Sequence, residues 1–181
     1  MKGRLVYFMG PSGVGKDTLL AFARNRVGTS RVLFAHRYIT RAPGAGGENH
    51  ICLSQDEFVT RAGLGLFALQ WSSHGMRYGI GIEIDAWMAR GFTVVVNGSR
   101  AYLGEAASRY PALTAVHIDA HPDVLAARLA ARGRETRDEV QARLARRVPL
   151  ALDADVALET IDNSGGIEEA GHALLAVLRS A

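Results

Sequence analysis

Apolar residues fall into short unbroken runs separated by stretches with helical spacing. Leu5-Val6-Tyr7-Phe8-Met9, Val32-Leu33-Phe34-Ala35 and Phe92-Thr93-Val94-Val95-Val96 carry no polar alternation. That pattern predicts parallel strands covered on both faces. Between the first two runs, Leu19, Leu20, Phe22 and Ala23 recur at helical spacing and predict a helix over 15–27, closed near Gly28. Ser54-Gln55-Asp56-Glu57 is a capping box that opens a short helix to about 62. Short strands are expected at 67–71 and 76–78, turning at His74-Gly75. A helix follows over 82–90, then the strand at 92–96, a short helix at 103–109 and a strand at 114–118. Pro122, at a first helical position, opens a helix to 131, and a second amphipathic helix with Val140 and Leu144 runs to 147. A last strand at 156–161 and a closing helix at 167–178 complete the series. Strands alternating with helices predict a doubly wound α/β sheet. Residues 36–81 interrupt it as a small insertion, with an irregular turn at Ala42-Pro43-Gly44-Ala45-Gly46-Gly47.

The first strand runs straight into Gly10, Pro11, Ser12, Gly13, Val14, Gly15, Lys16, Asp17 and Thr18. A strand, a glycine-rich turn and a helix start are the setting of a phosphate-binding loop. Glycines let successive N–H groups point inward, the helix end adds its positive dipole, and Lys16 adds a full charge. The pattern departs in one place: Asp17 stands where a Ser or Thr usually ligates magnesium, and Thr18 comes one position late. In a doubly wound sheet ligands bind at the carboxyl ends of strands. Asp17, Arg37, Asn97 and Asp119 all fall at or just past such ends.

Charge sharpens this picture. The net charge is only +3, and the lysines are Lys2 and Lys16 alone, so nearly all basic residues are Arg, which holds phosphates through two parallel hydrogen bonds. Arg132, Arg134, Arg137 and Arg143 flank a break at Gly133 between two helices and predict a lid that closes on a nucleotide triphosphate. Arg37 and Arg41 form a second cluster, and His50, Arg77, Tyr78 and Arg100 are candidates for the same cleft. His36, His74, His117 and His172 are assigned ordinary surface or core roles. No Ser-His-Asp or HExxH arrangement is present, which suits an acceptor that is itself a phosphate: its second pKa is about 6, so it needs no general base.

The remaining composition narrows the class. With 181 residues and 48% hydrophobics the expectation is one compact domain. Cys52 is the sole cysteine, so no disulfide forms within the chain. No apolar run is long enough to cross a bilayer, and the nine residues before the loop are too few for a signal peptide, so a cytoplasmic protein is expected. The basic residues track the expected cleft, so neither nucleic acid nor membrane is an expected partner. A homodimer is compatible with the sequence.

These stretches resemble the guanylate kinase fold, and more narrowly the ribose 1,5-bisphosphate phosphokinases of phosphonate catabolism. The resemblance is carried by GPSGVGKDT (10–18), HRYITR (36–41), ENHICLS (48–54), YGIGIEID (78–85), VVVNGSRAYL (94–103) and the RGRET of the lid, and covers essentially the whole chain. It implies a P-loop kinase with a parallel sheet flanked by helices, ATP and Mg2+ as cofactors, and transfer of the γ-phosphoryl of ATP to ribose 1,5-bisphosphate, giving 5-phosphoribosyl 1-diphosphate. It implies one kinase domain: a core of 1–35, 82–131 and 148–181, an acceptor-binding insertion at 36–81 and a lid at 132–147. Lys16, Asp17, Arg132, Arg134 and Arg143 are the implied catalytic set. Arg41 and Tyr78 are implied ligands of the acceptor phosphate, with Arg37, Arg77 and Arg100 for the second phosphate of the bisphosphate, and His50 and Asn97 beside them.

Alternatives are a guanylate kinase-like nucleoside monophosphate kinase and a non-catalytic binding module of the same fold. Guanylate kinases read guanine with a Glu where this chain has Leu69, and follow the Tyr-Gly pair with Thr and Ser where this chain has Ile80 and Gly81. A leucine cannot replace a buried carboxylate that reads the base. Binding modules usually lose the loop lysine or the lid arginines, and both remain here. Guanylate kinases also carry an Asp at the strand end occupied here by Asn97. The expectation is that the carboxylate near magnesium has moved from that strand end to the loop, as Asp17, with helix capping by Asp17 as the alternative.

Overall fold

In a computed structural model, residues 3–28, 30–42, 50–131 and 156–180 are described. Five parallel strands form the larger sheet: β1 (Arg4–Met9), β2 (Val32–Phe34), β7 (Thr93–Asn97), β8 (Thr114–Asp119) and β9 (Ala157–Asp162). Their order is β2-β7-β1-β8-β9, so the first strand of the chain lies at the centre. This explains the unbroken hydrophobic runs. Leu5 to Met9 and Val94 to Val96 are all buried, their side chains feeding clusters on both faces of the sheet.

One cluster, with Phe8, Val95 and Val116, lies under α1 (Lys16–Arg26), α5 (Pro122–Ala131) and the closing helix α6 (Ile167–Arg179). Close approach of α1 to α6 depends on Gly171, since a Cβ there would enter the Phe22 ring. The other cluster, with Tyr7, Val94, Val96 and Ala115, lies against α3 (Glu83–Ala89) and α4 (Leu103–Arg109), which follows a 3-10 turn at Arg100–Tyr102.

The interruption after β2 builds a second sheet. Strands β3 (Arg37–Ile39), β4 (Ile51–Cys52), β5 (Phe67–Ser73) and β6 (Met76–Gly81) stand in the order β4-β3-β6-β5. One half of the expected capping box forms: the Ser54 hydroxyl accepts a hydrogen bond from the Glu57 N–H at the start of α2 (Gln55–Gly63), while the Glu57 carboxylate pairs with Arg61. One face of this sheet packs Tyr38 and Phe67 against Phe58 of α2. The β5–β6 hairpin closes through His74 and Gly75, both left-handed, at φ 50° and 73°, the backbone a two-residue turn needs to match strand twist. The two-residue β4 is an addition to the sequence expectation, and β5 and β6 are longer than expected. The turn at 42–47 lies almost wholly outside the described residues, as do the second amphipathic helix and the whole 132–147 segment.

Candidate active site

The loop from Gly10 to Lys16 leaves the carboxyl end of the central strand and enters α1. Gly13 and Gly15 adopt φ 85° and 90°, left-handed values that a side chain would strain. Gly10 is required for a different reason: a Cβ there would strike the Ile118 carbonyl of the neighbouring strand. Lys16 donates from Nζ to the carbonyls of Gly10 and Pro11, at 2.8 and 2.9 Å, so its ammonium lies inside the curl of the loop.

Two residues distant in sequence pin the loop from behind. Asn163, only 4% exposed, donates from Nδ2 to the Val14 carbonyl at 2.7 Å. Arg128 donates to the same oxygen at 3.4 Å. The Asn163 amide also lies where a Cβ on Gly15 would stand, so the third loop glycine is needed twice over.

Asp17 and Asn97 meet, although 80 residues separate them. Asn97 ends β7, next to Phe8 in register, and donates from Nδ2 to Asp17 Oδ1 at 3.3 Å. Asp17 lies in the first turn of α1, where the helix dipole favours a carboxylate. Its side-chain hydrogen bond goes to Asn97 and not to a helix amide, so it does not act as a cap. Asn97 is 5% exposed, and its Oδ1 is buried without a hydrogen-bond partner. A carboxylate beside an unsatisfied amide oxygen is a pair of hard oxygen donors, the kind that fits magnesium. Among the described residues no group of three or more His, Cys, Asp or Glu forms a metal site of its own. A magnesium ion here would draw its other ligands from phosphate and water, as that ion commonly does.

The segment after Asn97 is held by a buried phenol. Tyr7 donates its hydroxyl to the Ser99 carbonyl and accepts from the Ser99 N–H, both at 2.9 Å. Gly98 sits against the ring, and a Cβ there would overlap it. Burial pushes the Tyr7 hydroxyl far above the usual tyrosine range, so it remains a neutral donor and acceptor. Arg100 follows, half-buried at the head of the 3-10 turn. Burial lowers its pKa and the charge of Asp119 opposes that shift. His117, beside Met9 in register, belongs to the same group. Burial lowers its pKa, Asp119 works to raise it, and Arg100 and Lys16 lower it further. Its Nε2 is buried without a partner.

The second sheet supplies the other cations. The Arg37 guanidinium lies over the Tyr78 ring, 5.3 Å from its centroid. Arg41 and His50 form a reciprocal pair: Arg41 Nη2 donates to His50 Nδ1 at 3.4 Å, and His50 Nε2 donates to the Arg41 carbonyl at 3.3 Å. A guanidinium can only donate and a carbonyl can only accept, which sets the direction of both bonds. Arg77 differs from the expectation that it shares a cleft with Tyr78. Strand alternation turns its side chain to the opposite face of β6, and its backbone N–H is taken by Thr40 Oγ1. Leu69 is 1% exposed and lies in the core cluster with Ile80. The lid residues Arg132, Arg134, Arg137 and Arg143 lie outside the described residues.

Asn163, Tyr7 and Trp71, which stacks on Tyr78, lie outside the candidates read from the sequence, and His117, given an ordinary role there, stands among the charged groups of the site. Two had a signal. A tyrosine inside an otherwise apolar, continuously buried run must find a partner for its hydroxyl. Asp162-Asn163-Ser164 lies at the carboxyl end of a parallel strand, where ligand-facing residues belong. His172 keeps the ordinary role expected for it, edge-on against Phe22 at 5.7 Å.

No protein-family model matches the chain. Relatives named ribose 1,5-bisphosphate phosphokinase PhnN do match it along nearly its full length. The protein of that name from Burkholderia pseudomallei is 62% identical over 175 residues, covering 97% of this chain and 95% of the relative. That from Thiobacillus denitrificans is 51% identical over 181 residues, covering 99% and 95%. Among solved structures, guanylate kinase from Anaplasma phagocytophilum superposes with a TM-score of 0.71 at 15% identity, covering 99% of this chain and 86% of that one. At that identity the match speaks for the fold, a guanylate kinase-like P-loop architecture. The loop, the sheet order and the full-length relatives agree, and the chain belongs to the ribose 1,5-bisphosphate phosphokinase family.

Proposed function

We propose that this protein transfers the γ-phosphoryl group of ATP to the 1-phosphate of ribose 1,5-bisphosphate, forming 5-phosphoribosyl 1-diphosphate and ADP. An oxygen of the acceptor phosphate attacks the γ-phosphorus, and the bridging bond to the β-phosphate breaks. The acceptor is mostly a dianion near neutral pH, because its second pKa is about 6, so no side chain has to remove a proton. The work of the protein is to hold two anions together and cancel their repulsion.

The loop amides and Lys16 take the ATP phosphates, with Gly10 to Thr18 as the binding segment. Arg41, with His50, and Tyr78 take the phosphate that reacts. Arg37 and Arg100 serve the second phosphate. Arg77 joins them only through a movement of the hairpin, since its side chain starts on the other face. Arg132, Arg134 and Arg143 close over the transferred group. Asp17 would hold magnesium, directly or through water, with the Asn97 oxygen beside it; that ion supplies charge neutralisation on the phosphates when bound. In this assignment 1–35, 82–131 and 148–181 are the nucleotide-binding core, 36–81 binds the acceptor and 132–147 is the lid. No helix among the described residues is long and apolar enough to cross a membrane, which is compatible with a cytoplasmic enzyme acting on small molecules.

The observation that carries the choice of acceptor is the 62% identity over 97% of the chain to a relative bearing that name. Burial of Leu69 supports it, because no carboxylate stands at that position to read a base. The test is incubation with ATP, magnesium and either ribose 1,5-bisphosphate or GMP. Diphosphate should form with the sugar and hardly at all with GMP; the opposite ranking would overturn the proposal.

A further inference from the structure

The face of the second sheet that bears Tyr78 also bears an aromatic stack that reaches beyond the proposed phosphate ligands. Trp71 is paired directly with Tyr78 across β5 and β6, and the two rings lie within 3° of parallel with centroids 5.4 Å apart. Arg37 comes from β3, on the other side of β6, and lies over the same tyrosine ring. Tyr102, from the 3-10 turn of the core, stacks on Trp71 at 5.7 Å and 29°. Arg37, Tyr78, Trp71 and Tyr102 thus form one continuous column from the second sheet to the core. Trp71 and Tyr102 pack against the buried cluster that holds Leu69 and Ile80.

A nucleobase is held in a pocket by stacking on an aromatic face and by hydrogen bonds to its edge. Tyr78 has already committed its ring, to a guanidinium from one neighbouring strand and to an indole from the other. Around the column, Leu69 and Ile80 are fully buried and carry no polar side-chain atom that could meet a base edge. We infer that Trp71 is a selectivity residue: its indole fills the place a planar base would need, so the acceptor site takes phosphorylated sugars and refuses nucleoside monophosphates. This rests on the proposed reaction for the identity of the preferred acceptor, while the exclusion itself is a binding property.

Trp71→Ala in the full chain removes the indole and frees one face of Tyr78. Trp71→Leu keeps apolar bulk without a ring and protects the test should the alanine variant fail to fold. Folding is checked by circular dichroism and by ATP binding. Calorimetry with indole and with GMP decides the inference whether or not phosphoryl transfer occurs. Trp71→Ala should bind indole where the wild-type protein does not, and its affinity for GMP should rise about tenfold or more, with a smaller rise in Trp71→Leu. Added indole should suppress the gain in GMP binding by refilling the space. With magnesium and ATP, the gain should extend to chemistry, the GMP phosphate attacking the γ-phosphorus to give GDP and ADP. Activity on ribose 1,5-bisphosphate should fall several-fold, because Tyr78 loses its brace. Folded variants that bind GMP no better than the wild-type protein would overturn the inference. Failure of the wild-type protein to phosphorylate the sugar would instead overturn the proposed function and leave the binding result to stand by itself.

Discussion

The Val14 carbonyl is a small feature with a large dependence on it. Two donors converge there, and the nearer, Asn163, is almost wholly buried. Asn163→Ala should cost about 0.5–1.5 kcal/mol of stability, the net worth of one hydrogen bond while Arg128 still donates to the carbonyl, and should raise KM for ATP more than KM for the sugar. Urea unfolding together with initial-rate kinetics checks both parts; an unchanged KM for ATP would limit Asn163 to a structural role. His117 makes a separate prediction at this scale. Burial holds its pKa below the ordinary value of 6.5, so the unfolded chain takes up a proton before the folded one does. Its effect on stability is therefore absent above that value and becomes a loss as pH falls below it. Unfolding curves between pH 7.5 and 5.5 should show the wild-type protein losing more stability than His117→Gln, which has no such proton to bind.

Elements act here through their ends and their contacts. Helix α1 presents the loop lysine and Asp17 at its start, and rests on α6 through Phe22 against Gly171. Gly171→Leu forces the helices apart and should lower stability by about 1–3 kcal/mol, the usual cost of overpacking, displacing the loop with them. Thermal unfolding and ATP affinity should fall together; a loss of stability with unchanged ATP binding would show that the loop does not depend on this contact. Strand β7 and helix α1 meet at Asn97 and Asp17. Asp17→Asn should raise the magnesium concentration needed for half-maximal activity, and adding Asn97→Asp should recover part of the loss, since the carboxylate returns to the same pair. Magnesium titrations of the two single variants and the double variant measure the coupling. Strictly additive losses would exclude a shared carboxylate.

Across the whole molecule, what the sequence revealed was what is local. Strand β1 and the loop after it lie in one stretch of fewer than twenty residues, and hydrophobic continuity with glycine spacing suffices to find them. The capping box at Ser54 and the start of α5 at Pro122 are equally local. Strand β4 escaped because two residues have no period to detect; it exists only because β3 lies beside it. The site was half legible for the same reason. Lys16 and Asp17 follow from the motif, whereas the contact of Asp17 with Asn97 needs the register of β7 on β1. The facing of Arg77 was legible from the alternation of the expected strand at 76–78, whereas the column through Trp71 needed both sheets together. Tyr7 and Asn163 stand at positions that local pattern marks, but their partners, Ser99 and Val14, are set by long-range packing.

The tie between Asn163 and Val14 spans 149 residues. It has a consequence for a chain still on the ribosome. The nucleotide loop is made 149 residues ahead of the side chain that supplies this hydrogen bond. Nascent chains released before Asn163 has been added should bind ATP poorly although the entire glycine motif is present, so competence for nucleotide arrives late and in a single step.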